Sequence, residues 1–256
     1  MSEETRLPAL RHAGDGEPVV LLHGFGGGKE QWEPLMAALA AHALAYDLPG
    51  HGEAATWDGF ERPAVTRDAV LQDWDARGIE RSHLVGHSRG GAMAALIAMK
   101  APDRIASLTF VAPGGFGPEI ADEELALFAA ARSEGELRDA MLQLFRPQRP
   151  SRRAVGELAS RRDERTVENL LRLRETMTSD GRQATLDLAR LHDRAFPIVV
   201  IWGDEDAVLP ASQAHAIGER EVVHVLPGAG HMLPQTHPRT LADILLTTMG
   251  ATSASS

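Results

Sequence analysis

Gly86-His87-Ser88-Arg89-Gly90 follows Ser82-His83-Leu84-Val85 and runs into Gly91-Ala92-Met93-Ala94-Ala95-Leu96-Ile97-Ala98-Met99. The first apolar run reads as a short buried strand and the last as a packed helix, so the serine sits on a sharp strand-to-helix turn. Such a turn crowds its side chains, and glycine on either side avoids the clash. The serine Oγ is then raised to the top of the sheet, beside the positive end of the following helix. Gly-x-Ser-x-Gly alone is a weak signal in a chain with 24 glycines. Its strand–turn–helix context makes it a strong one.

A serine needs a base to become a nucleophile, and the base needs an orienting acid. Both have candidates downstream, each at the end of a strand-like run. Pro197-Ile198-Val199-Val200-Ile201-Trp202 leads into Gly203-Asp204-Glu205-Asp206-Ala207-Val208. Glu221-Val222-Val223-His224-Val225-Leu226 leads into Pro227-Gly228-Ala229-Gly230-His231-Met232. His231 is the candidate base. Asp206 and Asp204 compete for the acid, because one carboxylate of that loop could cap the next helix. Upstream, Val19-Val20-Leu21-Leu22 ends in His23-Gly24-Phe25-Gly26-Gly27-Gly28. The backbone N–H groups of Phe25 and Arg89 are the candidate oxyanion donors, a role worth about 3–4 kcal/mol per donor. His23 and His87 read as structural groups around that loop, and the other histidines, His51 among them, show no metal-ligand spacing.

These pieces, with Asp47-Leu48-Pro49-Gly50-His51-Gly52, stand in an order and spacing that resembles the lid-bearing, esterase-like branch of the α/β-hydrolase superfamily. The order Ser…Asp…His is the one that fold uses. The resemblance implies a mostly parallel central sheet with helices on both faces and a helical lid inserted between strands 6 and 7. Its Trp-Gly-x-x-Asp pattern selects Asp206 over Asp204. Ala106 to Ile120, with Ala112-Pro113-Gly114-Gly115-Phe116, is similar to the hydrolase-type domain of acetoin dehydrogenase acyltransferase subunits. The chain offers no room for a lipoyl domain ahead of that unit, so acyl transfer to lipoate is not expected. Three positions depart from the family pattern. Arg89 stands where Met, Leu or Gln is usual, Thr236 where Glu is frequent, and the region before Val19 is short enough that the first two strands of the usual sheet are expected to be cut down or missing.

Composition agrees with a single domain. The 256 residues are 43% hydrophobic, enough for a sizeable core. A formal charge of −10 argues against nucleic acid or an anionic membrane as a partner. The absence of cysteine excludes disulfides and thiolate chemistry. The polar start, Met1 to Arg6, has no apolar signal-peptide core, and no apolar run is long enough to span a bilayer. The expectations are a cytoplasmic protein, monomeric or a small homo-oligomer, acting on a small-molecule acyl substrate without metal, flavin or nucleotide.

Strand-like runs at 19–22, 42–46, 83–86, 105–111, 197–202 and 222–226 alternate with helical stretches at 29–41, 63–77, 91–100, 212–219 and 239–249. Alternation of this kind signals a parallel sheet between helical layers. Residues 250–256 are expected to be disordered. From 114 to 195 the alternation stops. Leu125, Phe128, Leu137, Met141, Leu144, Leu158, Leu170, Leu173 and Met177 recur at three- and four-residue spacings, so this interval reads as the helical lid, with breaks at Pro147, Pro150 and Gly156. The core domain is then 1–113 with 196–256. The interleaved arginines and acids of the lid read as a solvated face. Few aromatics, at 5%, suggest a pocket lined by Leu, Met and Ala.

The sequence thus points to a serine hydrolase that cleaves an ester or related acyl bond. Two alternatives use the same residues: carbon–carbon bond hydrolysis of a dienoic or 1,3-dicarbonyl compound, and a slow-turnover ligand-binding receptor. Arg89 carries a further expectation. Its guanidinium either clamps a substrate carboxylate or turns away to pair with a nearby Asp or Glu.

Overall fold

The computed structural model describes residues 6–218 and 221–253. Seven strands form one sheet: β1 (Ala9–His12), β2 (Val19–Leu22), β3 (Ala43–Tyr46), β4 (Ser82–His87), β5 (Ile105–Val111), β8 (Ile198–Gly203) and β9 (Val222–Leu226). Their order is β1-β3-β2-β4-β5-β8-β9, parallel throughout except for β1, which runs antiparallel along β3 at one edge. β2, β4, β5 and β8 are buried along their whole length, as strands in the middle of a two-sided parallel sheet are, although β4 and β5 also bury Ser82, His83, His87, Ser107 and Thr109. The short N-terminal region therefore still supplies one antiparallel strand. It had no strand signal because β1 is a half-exposed edge with mixed composition.

Alternate side chains of each strand feed opposite layers. Val19 and Leu21 pack with α1 (Glu33–Leu39) and α9 (Pro238–Ser253) through Leu35, Leu39, Leu241 and Leu245. Val20 and Leu22 pack on the other face with α2 (Pro63–Arg77) and α3 (Arg89–Lys100) through Trp74 and Ile97.

Four helices lie between β5 and β8: α4 (Asp122–Ala130), α5 (Glu134–Leu144), α6 (Arg152–Ser160) and α7 (Glu164–Met177). Each of the last three starts at a side-chain cap, with Ser133 and Glu136 forming a capping box and Ser151 and Asp163 accepting from Ala154 and Thr166 N–H. The same interval holds a two-stranded hairpin, β6 (Thr178–Ser179) with β7 (Arg182–Gln183), where no strand was expected. Pro147 and Pro150 fall in the α5–α6 connection, but Gly156 lies inside α6 rather than at a break.

Two further expectations are corrected. The stretch from 212 is a 3₁₀ turn, Ala211–His215, ending well before 219. The last helix α9 follows the short α8 (Leu233–Thr236) and continues to Ser253, past the point where disorder was expected; residues 254–256 lie outside the described residues.

Candidate active site

Sheet register builds the site. β2 and β4 are parallel neighbours with Leu22 opposite Gly86, so the two chains leave the sheet side by side, one into Gly24 and Phe25, the other into Ser88. The chain turns to opposite sides of the sheet from this pair, which makes it the crevice where parallel sheets bind ligands. Ser88 has φ 52° and ψ −122°, a left-handed conformation unfavourable for a side-chain-bearing residue. The turn is tight enough to require glycine around it. A Cβ on Gly86 would stand 2.3 Å from the Gly90 carbonyl oxygen, and one on Gly90 would stand 2.1 Å from that of Leu22.

Buried groups hold the Phe25 loop. His23 Nδ1–H donates to Gly24 O at 2.7 Å, and His23 Nε2 accepts from Leu48 N–H at 3.0 Å. His51 Nε2 accepts from Gly26 N–H at 3.1 Å. Both rings serve as acceptors and must be neutral there. Burial lowers His23 to about 4, and burial together with the nearby His23 and Arg89 lowers His51 well below the usual histidine range. One residue further out, Asp47 accepts from the Lys29 N–H and pairs with its ammonium at 2.8 Å. Phe25 is therefore clamped from both flanks, and Gly24 abuts Ser88 so closely that a Cβ there would meet the serine Cβ at 3.0 Å. Arg89 is the first residue of α3, where backbone N–H groups have no intrahelical acceptor. The role of His51 was missed in the sequence, although its motif was singled out.

His231 follows β9 and is buried; its Nδ1 lies 2.8 Å from Asp206 Oδ2. The other Asp206 oxygen accepts from the N–H groups of Val208 and Leu209 at 2.8 and 2.9 Å, so the carboxylate is fixed in place. Asp204 instead accepts from Gly228 N–H at 2.7 Å and ties two loops together. His87 Nε2–H donates to the His231 carbonyl at 3.0 Å, and the two rings lie 4.8 Å apart. Burial, and then the neighbouring His231, push the His87 imidazole well below the usual range, so it stays neutral beside the candidate base.

Ser88, His231, His87 and Phe25 face one cavity of about 540 Å³. Its far wall comes from α4–α6, through Leu125, Phe128, Met141, Leu144 and Leu158. Phe25, Phe128 and Phe145 line it, so the pocket is more aromatic than the low overall content suggested. At its rim Arg161 pairs with Glu30, and Thr236 also faces it. Most arginines of this region are exposed as expected, among them Arg149, Arg152, Arg153, Arg161 and Arg165, whereas Arg162 and Arg174 are half-buried. Arg153 does make an exposed i,i+4 pair with Glu157. Arg174 binds Asp122 across elements, and Arg162 lies over the Phe128 ring with its guanidinium on carbonyls at the end of α4. A second cavity, about 110 Å³, opens on the other side of Ser88 and is shared by Phe25, Arg89, Glu61, Gly115 and Gln183. Arg89 does not turn away to an acid. Among the described residues no carboxylate pairs with it. No group of three or more acidic or histidine side chains among the described residues could hold a metal ion.

A mostly parallel sheet with a serine on the β4–α3 turn and a histidine after the last strand defines an α/β-hydrolase, and this chain belongs to the alpha/beta hydrolase family, whose profile matches residues 19–244. It is 38% identical over 223 residues to the dihydrolipoyllysine-residue acetyltransferase component of an acetoin cleaving system from Pseudomonas putida, covering 85% of this chain and 59% of that protein. The chain thus spans about three-fifths of the length of that relative. A Variovorax paradoxus protein named as a carbamate hydrolase, RutD, is 32% identical over 251 residues, covering 90% of this chain and 92% of that one. Among solved structures, 2-hydroxy-6-oxo-6-phenylhexa-2,4-dienoate hydrolase from Rhodococcus sp. strain RHA1 superposes with a TM-score of 0.82 at 23% identity, covering 94% of each chain. Among the described residues no helix is long and apolar enough to cross a membrane.

Proposed function

We propose that this hydrolase cleaves an ester or related acyl bond of a small molecule through an acyl-enzyme on Ser88, with His231 as base and Asp206 as its orienting acid. The observation that carries this reading is the Asp206 carboxylate, bound by two backbone N–H groups on one oxygen and by His231 Nδ1 on the other. That arrangement leaves His231 Nε2 free of the acid, and His231 lines the same cavity as Ser88. Ser88 Oγ attacks the carbonyl carbon while Nε2 takes its proton, and the Phe25 and Arg89 N–H groups receive the oxyanion. His231 then protonates the leaving group, and a water activated by the same nitrogen releases the acid. Residues 114–195 act as the lid over a core of 1–113 and 196–256, their apolar side chains shielding the acyl-enzyme from solvent. The relative named as a carbamate hydrolase supports a carbonyl carrying a heteroatom leaving group.

The test is multiple-turnover release of 4-nitrophenol from its acetate and butyrate esters. Ser88→Ala should lose on the order of 10⁴-fold or more in kcat. Its melting temperature should stay within a few degrees, because the serine hydroxyl packs against little. A fluorophosphonate should label Ser88 in the parent and nothing in the variant. Undiminished hydrolysis by Ser88→Ala would end the proposal, and a single turnover without further release would favour a binding protein.

A further inference from the structure

Arg89 is the charged group the proposed chemistry leaves unused. Its backbone N–H is a proposed oxyanion donor, but its side chain is buried, 5% exposed, on the wall of the smaller cavity beside Ser88. Nη2 has one distant contact, 3.5 Å from Thr66 Oγ1, and Nη1 has no hydrogen-bond partner. Buried guanidinium groups ordinarily find acceptors, because an unpaired charge in a low-dielectric interior is strongly disfavoured. Arg162, the other arginine pulled down by burial, obeys that rule with backbone carbonyls at the end of α4. Arg89 does not. Burial lowers it to about 10, so it still carries its proton at neutral pH. The nearby His23 and His51 are neutral there and do not supply a negative charge. Glu61 faces the same cavity, but its carboxylate is engaged by Arg172.

A small cavity with an unsatisfied cation on its wall and the candidate nucleophile at its mouth is complementary to a short chain ending in an anion. We infer that Arg89 is a specificity-determining residue that binds a carboxylate on the substrate's acyl portion, so that half-esters of short dicarboxylic acids are the preferred substrate class. A guanidinium suits a carboxylate, and Gln183, whose amide already binds Gly115 N–H and the Glu119 carbonyl, lines the same cavity. The leaving alcohol then occupies the larger cavity under α4–α6. This inference rests on the ester-cleaving reading in its kinetic form, but the binding it describes does not require turnover.

The experiment compares mono-4-nitrophenyl succinate and glutarate with the neutral butyrate and pentanoate esters. The parent should show the higher kcat/KM on the acids, and in Arg89→Met the ratio of acid to neutral kcat/KM should fall at least ten-fold. An unchanged ratio would overturn the inference while leaving ester cleavage intact. Should Arg89→Met fail to fold, the parent itself decides: glutarate should inhibit butyrate ester hydrolysis far better than dimethyl glutarate, and equal inhibition would overturn the inference. If no ester is cleaved at all, a rise in melting temperature with glutarate, absent with dimethyl glutarate, keeps the carboxylate site and discards the hydrolytic reading. No rise would discard both.

Discussion

Asp204 and Asp206 sit two positions apart in one loop, and only their hydrogen-bond partners separate them. Asp206 has both oxygens committed, one to backbone N–H groups and one to His231, whereas Asp204 holds the Gly228 turn. Replacing Asp206 by Asn should lower kcat by about 10⁴-fold, since an amide cannot hold the imidazole in its productive tautomer. Asp204→Asn should cost far less; the reverse order in steady-state kinetics would transfer the role to Asp204. The buried histidines make a second residue-scale prediction. His23 is depressed from the ordinary histidine value to about 4, so the unfolded chain binds the extra proton more readily. Its contribution to stability is complete above pH 6.5 and is lost as pH falls towards 4. From His23 alone the unfolding free energy should drop by about 2 kcal/mol between pH 7 and pH 5. Urea unfolding at the two pH values checks this, and an unchanged midpoint would show that the ring accepts its proton without disturbing the Gly24 and Leu48 contacts.

At the scale of elements, glycine means different things in a turn and in a helix. Gly90, in the first turn of α3, packs against β2, and a Cβ there would meet the Leu22 main-chain oxygen at 2.1 Å, an atom that cannot move without the strand. Gly90→Ala should therefore destabilise by on the order of 3 kcal/mol or more. Gly156 lies within α6 with nothing within 4 Å of a Cβ. Gly156→Ala should stabilise by roughly 0.5–1 kcal/mol, through lower backbone entropy in the unfolded chain. Differential scanning calorimetry of the two variants should show melting temperatures moving in opposite directions. A loss in Gly156→Ala would mean that α6 needs its glycine for the cavity mouth.

The whole molecule is tied together by burial that crosses the β5–β8 insertion. Leu125, Phe128, Leu137, Leu170 and Leu173 of that interval share one buried cluster with Leu22, Trp74 and Ile97. Asn169 of α7 adds hydrogen bonds to the carbonyls of Gly50 and Ala55, at 3.1 and 2.8 Å. The insertion's helices also pack on one another, α4 with α5 and α7 and α5 with α6, but their buried side chains are continuous with those of the sheet domain. Thermal unfolding should accordingly be one transition, with far-UV circular dichroism and tryptophan fluorescence coincident. A separate early loss of helix would show that the insertion unfolds on its own.

Strand runs 19–22, 105–111 and 222–226 and helix 63–77 were legible to the residue, because runs rich in β-branched and apolar residues, a leading proline and a trailing glycine act locally. The candidates Ser88, Asp206 and His231 were chosen on a similar ground: each lies in the loop just after a strand, and parallel strands bring their carboxyl ends together. Other features depended on partners distant in sequence. β1 exists because β3 offers it an edge, and α9 runs on to Ser253 through residues that carry no helical pattern. The service of His51 to the Phe25 loop, across 25 residues, has no local signature. Arg89 is the sharpest case. Its sequence position allowed either a clamp or an ion pair, and only packing around the side chain decided that no acid of the described chain reaches it. Local propensity is a property of neighbours in sequence, whereas the burial of a charge and the identity of its partner are properties of the space that the folded chain encloses.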